Sequence, residues 1–153
     1  MDAFAFAIRP HAADGATEVV PMVDGVELTD RIHAFELERG METRAVSYGG
    51  LIPSYFKFGA APDHYLATEE SFLNREGKIP VLGCECGEWG CWPLLARVIV
   101  GESAVTWTDF EQPHRPERDY SAFGPFVFDR LTYESAIADI TAIWSSEASA
   151  SKT

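Results

Sequence analysis

No apolar run in this sequence approaches the roughly 20 residues that a membrane-spanning helix needs. Cysteine is scarce, with three in 153 residues, an odd and low number. That argues against the disulfide framework of small secreted domains and for a reducing compartment with free or metal-bound thiols. Cationic residues are few: 12 Lys and Arg stand against 24 Asp and Glu, for a net charge of −12. Such a surface repels phosphate backbones and disfavours direct nucleic-acid binding. G-x-S-x-G, G-x-x-x-x-G-K and G-x-G-x-x-G are all missing, which excludes the commonest nucleophile and phosphate loops. The opening MDAFAFAIRP has no basic leader region and carries Asp2, so a cytoplasmic protein is expected.

What is present is ordinary globular composition, 46% hydrophobic and 24% charged. A chain of this length is expected to form one domain, over 1–146, with the stretch 147–153 as a disordered tail. The acidic excess is spread along the chain: 9 acids and 4 bases in 1–50, 6 and 4 in 51–100, 9 and 4 in 101–153. Spread in this way it suits a solvated surface, and it would steer a basic protein partner.

Hydrophobic periodicity predicts the elements. Phe4, Phe6 and Ile8 alternate as on a strand, Glu18 to Val23 forms a second strand, and Asp24-Gly25 marks a turn. Leu28, Ile32 and Phe35 form one helical stripe within 26–39, which Gly40 can end. Residues 41–78 read as packed, aromatic loops with one short helix near Glu69 to Asn74. Ile79 to Gly83, Leu94 to Val100, Ala104 to Phe110 and Phe126 to Phe128 read as strands, the middle two joined by Gly101-Glu102-Ser103. Tyr133, Ile137, Ile140 and Trp144 mark a helix over about 132–146, capped by Asp129 or Thr132. The fold class is α+β: an antiparallel sheet of four to six strands with two main helices on it.

Cys84, Cys86 and Cys91 form the one chemically suggestive cluster, in the pattern C-x-C-G-x-x-G-C. On a strand Cys84 and Cys86 share a face, and Gly87 and Gly90 let the chain fold back to bring Cys91 near. Three converging thiolates would bind a soft divalent ion such as zinc. The fourth ligand would be His114, with His64 behind it. The same thiols could cycle as a dithiol and disulfide, most easily between Cys86 and Cys91. They could also be small buried hydrophobes beside a glycine turn, the commonest fate of free cysteine.

His114, Arg115 and Arg118 make the one locally basic loop, able in principle to clamp a carboxylate or phosphate. The plainer expectation is local pairing with Glu111, Glu117 and Asp119. His33 reads as a surface residue of the first helix. Trp89, Trp92 and Trp107 gather around the cysteine turn and the hairpin. Exposed, Trp89 and Trp107 would form a binding platform; buried, they are core.

Leu82, Cys84, Cys86, Gly87, Gly90 and Cys91, followed by Val105, Trp107 and Phe110, give a Leu-x-Cys-x-Cys-Gly-x-x-Gly-Cys turn and a Val-x-Trp-x-x-Phe strand. In this the chain resembles, over about 79–133, a family of small bacterial proteins with no established activity. The resemblance implies a bacterial origin and a fold neighbourhood, and nothing catalytic. The leading expectation is a small acidic, non-enzymatic binding module of the immunity-protein or antitoxin kind. Its rivals are a zinc or thiol-redox protein built on the three cysteines, and an enzyme with a loop site at His114, Arg115 and Arg118.

Overall fold

The computed structural model describes residues 1–41, 47–68 and 76–149. The order is β1 (Phe4–Pro10), β2 (Thr17–Val23), β3 (Val26–Glu27), α1 (Leu28–Glu38), β4 (Tyr48–Gly49), α2 (Ala61–Tyr65), β5 (Lys78–Cys84), a 3-10 turn (Trp89–Cys91), β6 (Leu94–Val100), β7 (Ala104–Glu111), β8 (Phe126–Asp129) and α3 (Arg130–Ser149). The fold is α+β, and the described residues form eight strands in two antiparallel sheets where a single sheet of four to six was anticipated. One sheet runs β1-β2-β3, the other β4-β5-β6-β7-β8.

Single bridges join the sheets at both ends. Val19 of β2 exchanges two backbone hydrogen bonds with Leu51, and Asp2 pairs in parallel with Phe128. The hydrogen-bonded path therefore closes into a ring through one bridge at each end. Local turn chemistry sets the shorter connections. Asp24 and Gly25 both take positive φ, 51° and 77°, the twist that matches an antiparallel two-residue turn. Gly101 N–H donates to Ala104 C=O at 2.8 Å to close the β6–β7 hairpin.

The predicted stripe of α3 is buried in full: Tyr133, Ile137, Ile140 and Trp144 are each at most 3% exposed. Burial of each such side chain contributes about 1.5–3 kcal/mol. Asp129 caps the helix, its Oδ2 accepting the Thr132 N–H at 3.0 Å. The helix runs beyond the expected end at 146. Glu147 to Ser149 are helical rather than tail, and Glu147 accepts a hydrogen bond from Thr17 of β2. On β1 the alternation is incomplete: Phe4 is buried, but Ile8 lies outside the core at 42% exposure. The short helix α2 falls in a stretch read as loop, because Ala60 offers no side-chain cap to announce it. The expected helix near Glu69 to Asn74 lies outside the described residues. No helix among the described residues is long and apolar enough to cross a membrane.

Candidate metal centre

Cys84 ends β5, where it pairs with Tyr48 of β4. The chain then reverses. Glu85 N–H is tied to Ser47 C=O at 2.8 Å and Gly87 N–H to Cys84 C=O at 3.0 Å. Cys91 N–H closes on Glu88 C=O at 3.1 Å. Gly83 makes the fold-back possible: a Cβ there would sit 2.7 Å from the Trp89 Cα, so only glycine lets the 3-10 turn lie on the strand.

The result is convergence. The Sγ atoms of Cys84, Cys86 and Cys91 all lie within 4.8 Å of one another. Tetrahedral zinc with Zn–S bonds near 2.3 Å needs sulfurs about 3.8 Å apart, so small side-chain adjustments would bring the three onto one ion. Cys84 is buried, while Cys86 and Cys91 are exposed, so the cluster has an inner and an outer side.

The turn also supplies donors to sulfur. Cys86 N–H points at Cys84 Sγ at 3.4 Å, and the Glu88 backbone N–H favours the ionised Cys86. Each of these sulfurs thus meets the amide two residues on, an arrangement that stabilises thiolate charge. Burial nevertheless pushes the Cys84 thiol up to about 12 against the pull of its amide. Burial opposes ionisation at Cys86 too. There the Glu88 amide and the Cys84 and Cys91 thiols prevail and hold the thiol below its usual range. Cys86 is therefore the more readily ionised of the two, and Cys84 gives up its proton only to something that compensates the charge.

The other predicted site residues divide. His114 reaches the turn: its Nε2 lies 2.7 Å from Gly90 C=O, with the ring in solvent. No histidine nitrogen or carboxylate oxygen among the described residues joins the three sulfurs in their cluster. His64 is a core residue, 5% exposed, its Nε2 hydrogen-bonded to Pro80 C=O at 2.9 Å and its ring stacked on Trp144. His33 is exposed on α1.

Trp107 is wholly buried and donates from Nε1 to Tyr133 Oη at 3.0 Å, so it belongs to the core and not to a binding platform. Trp89 is half-buried, edge-on to Phe56 at 5.5 Å between centroids, in the wall of a surface groove. That groove, about 410 Å³, is lined by Tyr55, Phe56, Trp89 and Cys91 with the turn between them. Arg115 and Arg118 both lie over the buried Trp92, at 5.2 and 5.7 Å from its centroid. Arg118 reaches beyond its loop, besides bonding to Tyr120 within it. It meets Glu36 of α1 at 3.2 Å in a buried network that Tyr120 and Tyr48 complete. Glu111 pairs instead with Lys78, and Asp119 caps Ser121 N–H.

Two features escaped the sequence. Glu36 sits on the expected helix, but nothing local marks it as the buried anchor of a distant loop. His11, at the β1–β2 connection, is 5% exposed, and its Nε2 has no hydrogen-bond partner among the described residues. It packs against Gly87 of the cysteine turn, a neighbour 76 positions away that no local pattern shows.

The fold and its tri-thiol turn define a small α+β protein with a clustered cysteine site. Comparison with family models, curated proteins and solved structures finds no match for the chain.

Proposed function

We propose that this protein binds a soft divalent ion, zinc in the first instance, through the thiolates of Cys84, Cys86 and Cys91. The observation that carries the reading is the mutual approach of three sulfurs to within 4.8 Å. The amides directed at Cys84 and Cys86 support it, because a thiolate bound to metal keeps charge that such donors stabilise. Ligation would supply the compensation that Cys84 needs to ionise inside the fold, and binding would release protons. The test is elemental analysis of protein purified without chelator, beside a thiol count. About one zinc per chain, lost on Cys84→Ser and Cys91→Ser substitution, is the expected result. Metal-free protein that takes up no zinc when titrated would overturn the reading. Reversible oxidation of Cys86 with Cys91 is the alternative on the same atoms, favoured by the lowered Cys86 thiol. It predicts that an added disulfide such as oxidised glutathione, itself reduced to two thiols, rapidly forms one disulfide in metal-free protein.

The net charge of −12 supports a second and compatible role, docking of a basic protein partner in the manner of an immunity protein or antitoxin. Such a complex would weaken steeply with salt. A pull-down at low salt that retains no basic protein would count against it.

A further inference from the structure

We propose that His11, through Nε2, is the fourth ligand of the ion held by Cys84, Cys86 and Cys91. The inference rests on the metal reading above and adds the residue that would close the site as a tetrahedron of three sulfurs and one nitrogen, a donor set suited to zinc. A buried imidazole nitrogen without a hydrogen-bond partner is costly and calls for an explanation. His11 Nε2 is such an atom among the described residues. It lies against the turn itself: the position a Cβ would occupy at Gly87 is 3.3 Å from His11 Nε2. Gly87 directly follows Cys86 and holds φ at +99°, so the backbone presses on the His11 and Tyr55 rings where any side chain would collide.

The turn also lines the groove between Tyr55 and Cys91. His11 Nε2 stands outside the cluster of three sulfurs, so binding would bring the ring and the sulfurs together from the contact His11 already makes with the turn at Gly87. His114, the candidate nearer in sequence, has its Nε2 committed to Gly90 C=O and its ring exposed. It leaves no buried vacancy to explain. A neutral His11 binding through Nε2 would satisfy the orphaned atom and exclude water from the inner side of the ion.

Cobalt(II) reports on this directly, because its visible bands depend on donor set and coordination number. With cobalt-loaded protein, His11→Ala is expected to shift the tetrahedral bands and weaken binding by roughly 100-fold or more, beyond the 10–100-fold of an outer-shell loss. Free imidazole should restore the original spectrum, while His114→Ala should leave it unchanged. A His11→Ala spectrum and affinity equal to wild type, or a change confined to His114→Ala, would refute the assignment and leave the three-sulfur site standing. Wild-type protein that binds neither cobalt nor zinc would remove both claims together. Should His11→Ala fold poorly, the unaltered protein loaded with cadmium-113 decides. Scalar coupling from the metal to the His11 ring protons supports the assignment, and coupling to the His114 ring, or to none, overturns it.

Discussion

Two thiols two residues apart differ in acidity because one faces the core and the other faces water. Cys84 is held near 12 by burial, whereas amide and thiol donors outweigh desolvation at Cys86 and lower it. Alkylation of metal-free protein should therefore modify Cys86 first, with a pH midpoint below that of an ordinary cysteine. Cys84 should stay unmodified until denaturant is added. Peptide mapping after timed iodoacetamide treatment checks both rates, and modification of Cys84 ahead of Cys86 would contradict the burial argument.

His64 makes a second prediction at this scale. Burial lowers its pKa to about 4, against the opposing bond to Pro80 C=O, so the folded state resists a proton that the unfolded chain accepts near 6.5. The unfolded state binds more protons between these values, and stability must fall as pH drops from about 6.5 to 4. The loss from this group is on the order of 3 kcal/mol. Urea titrations across that range should show the slope, and His64→Phe should flatten it.

At the scale of elements, the cysteine turn depends on β5 and the 3-10 turn lying backbone against backbone at Gly83 and Trp89. Gly83→Ala should push them apart, lower zinc affinity at least about tenfold and cost about 1–3 kcal/mol of stability. Gly90→Ala, where an added Cβ meets nothing within 4 Å, should do neither. Competition with a chromophoric chelator measures the first effect and thermal melts the second. Elements carried by a local period were legible in the sequence: β6 matches its expected bounds, and α3 buries the stripe its spacing marked. The cysteine convergence was legible too, since it lies within eight residues and two glycines. What depended on distant pairing was not. The joining of the two sheets rests on Val19 meeting Leu51 and Asp2 meeting Phe128. The burial of Trp107 depends on Phe4, Phe128 and Tyr133 arriving from far along the chain. Arg118 could not be assigned to Glu36, nor His11 to Gly87, from any spacing.

For the whole molecule, the site is wired into both sheets: Cys84 through β4 and β5, and Gly87 through its contact with His11 at the β1–β2 connection. An ion bound there should stabilise the entire fold and not the turn alone. At a free zinc concentration about 100 times the dissociation constant, linkage adds about 2.7 kcal/mol. That corresponds to a rise in Tm of several degrees for a chain of this size. A chelator should reverse it, and unchanged melting with and without zinc would rule out native-state binding of that strength.

The first residues and the last helix share one piece of interior: Phe4 touches Trp107, Phe128 and Tyr133, and Thr17 reaches Glu147. During synthesis, the β1–β2 hairpin must therefore wait for a partner made much later in the chain. Cys84, Cys86 and Cys91 precede α3 and leave the exit tunnel before it, while the core around the innermost sulfur is still incomplete. A nascent chain at that stage would present all three thiols to whatever metal or oxidant the surroundings hold, and final closure would seal in the outcome.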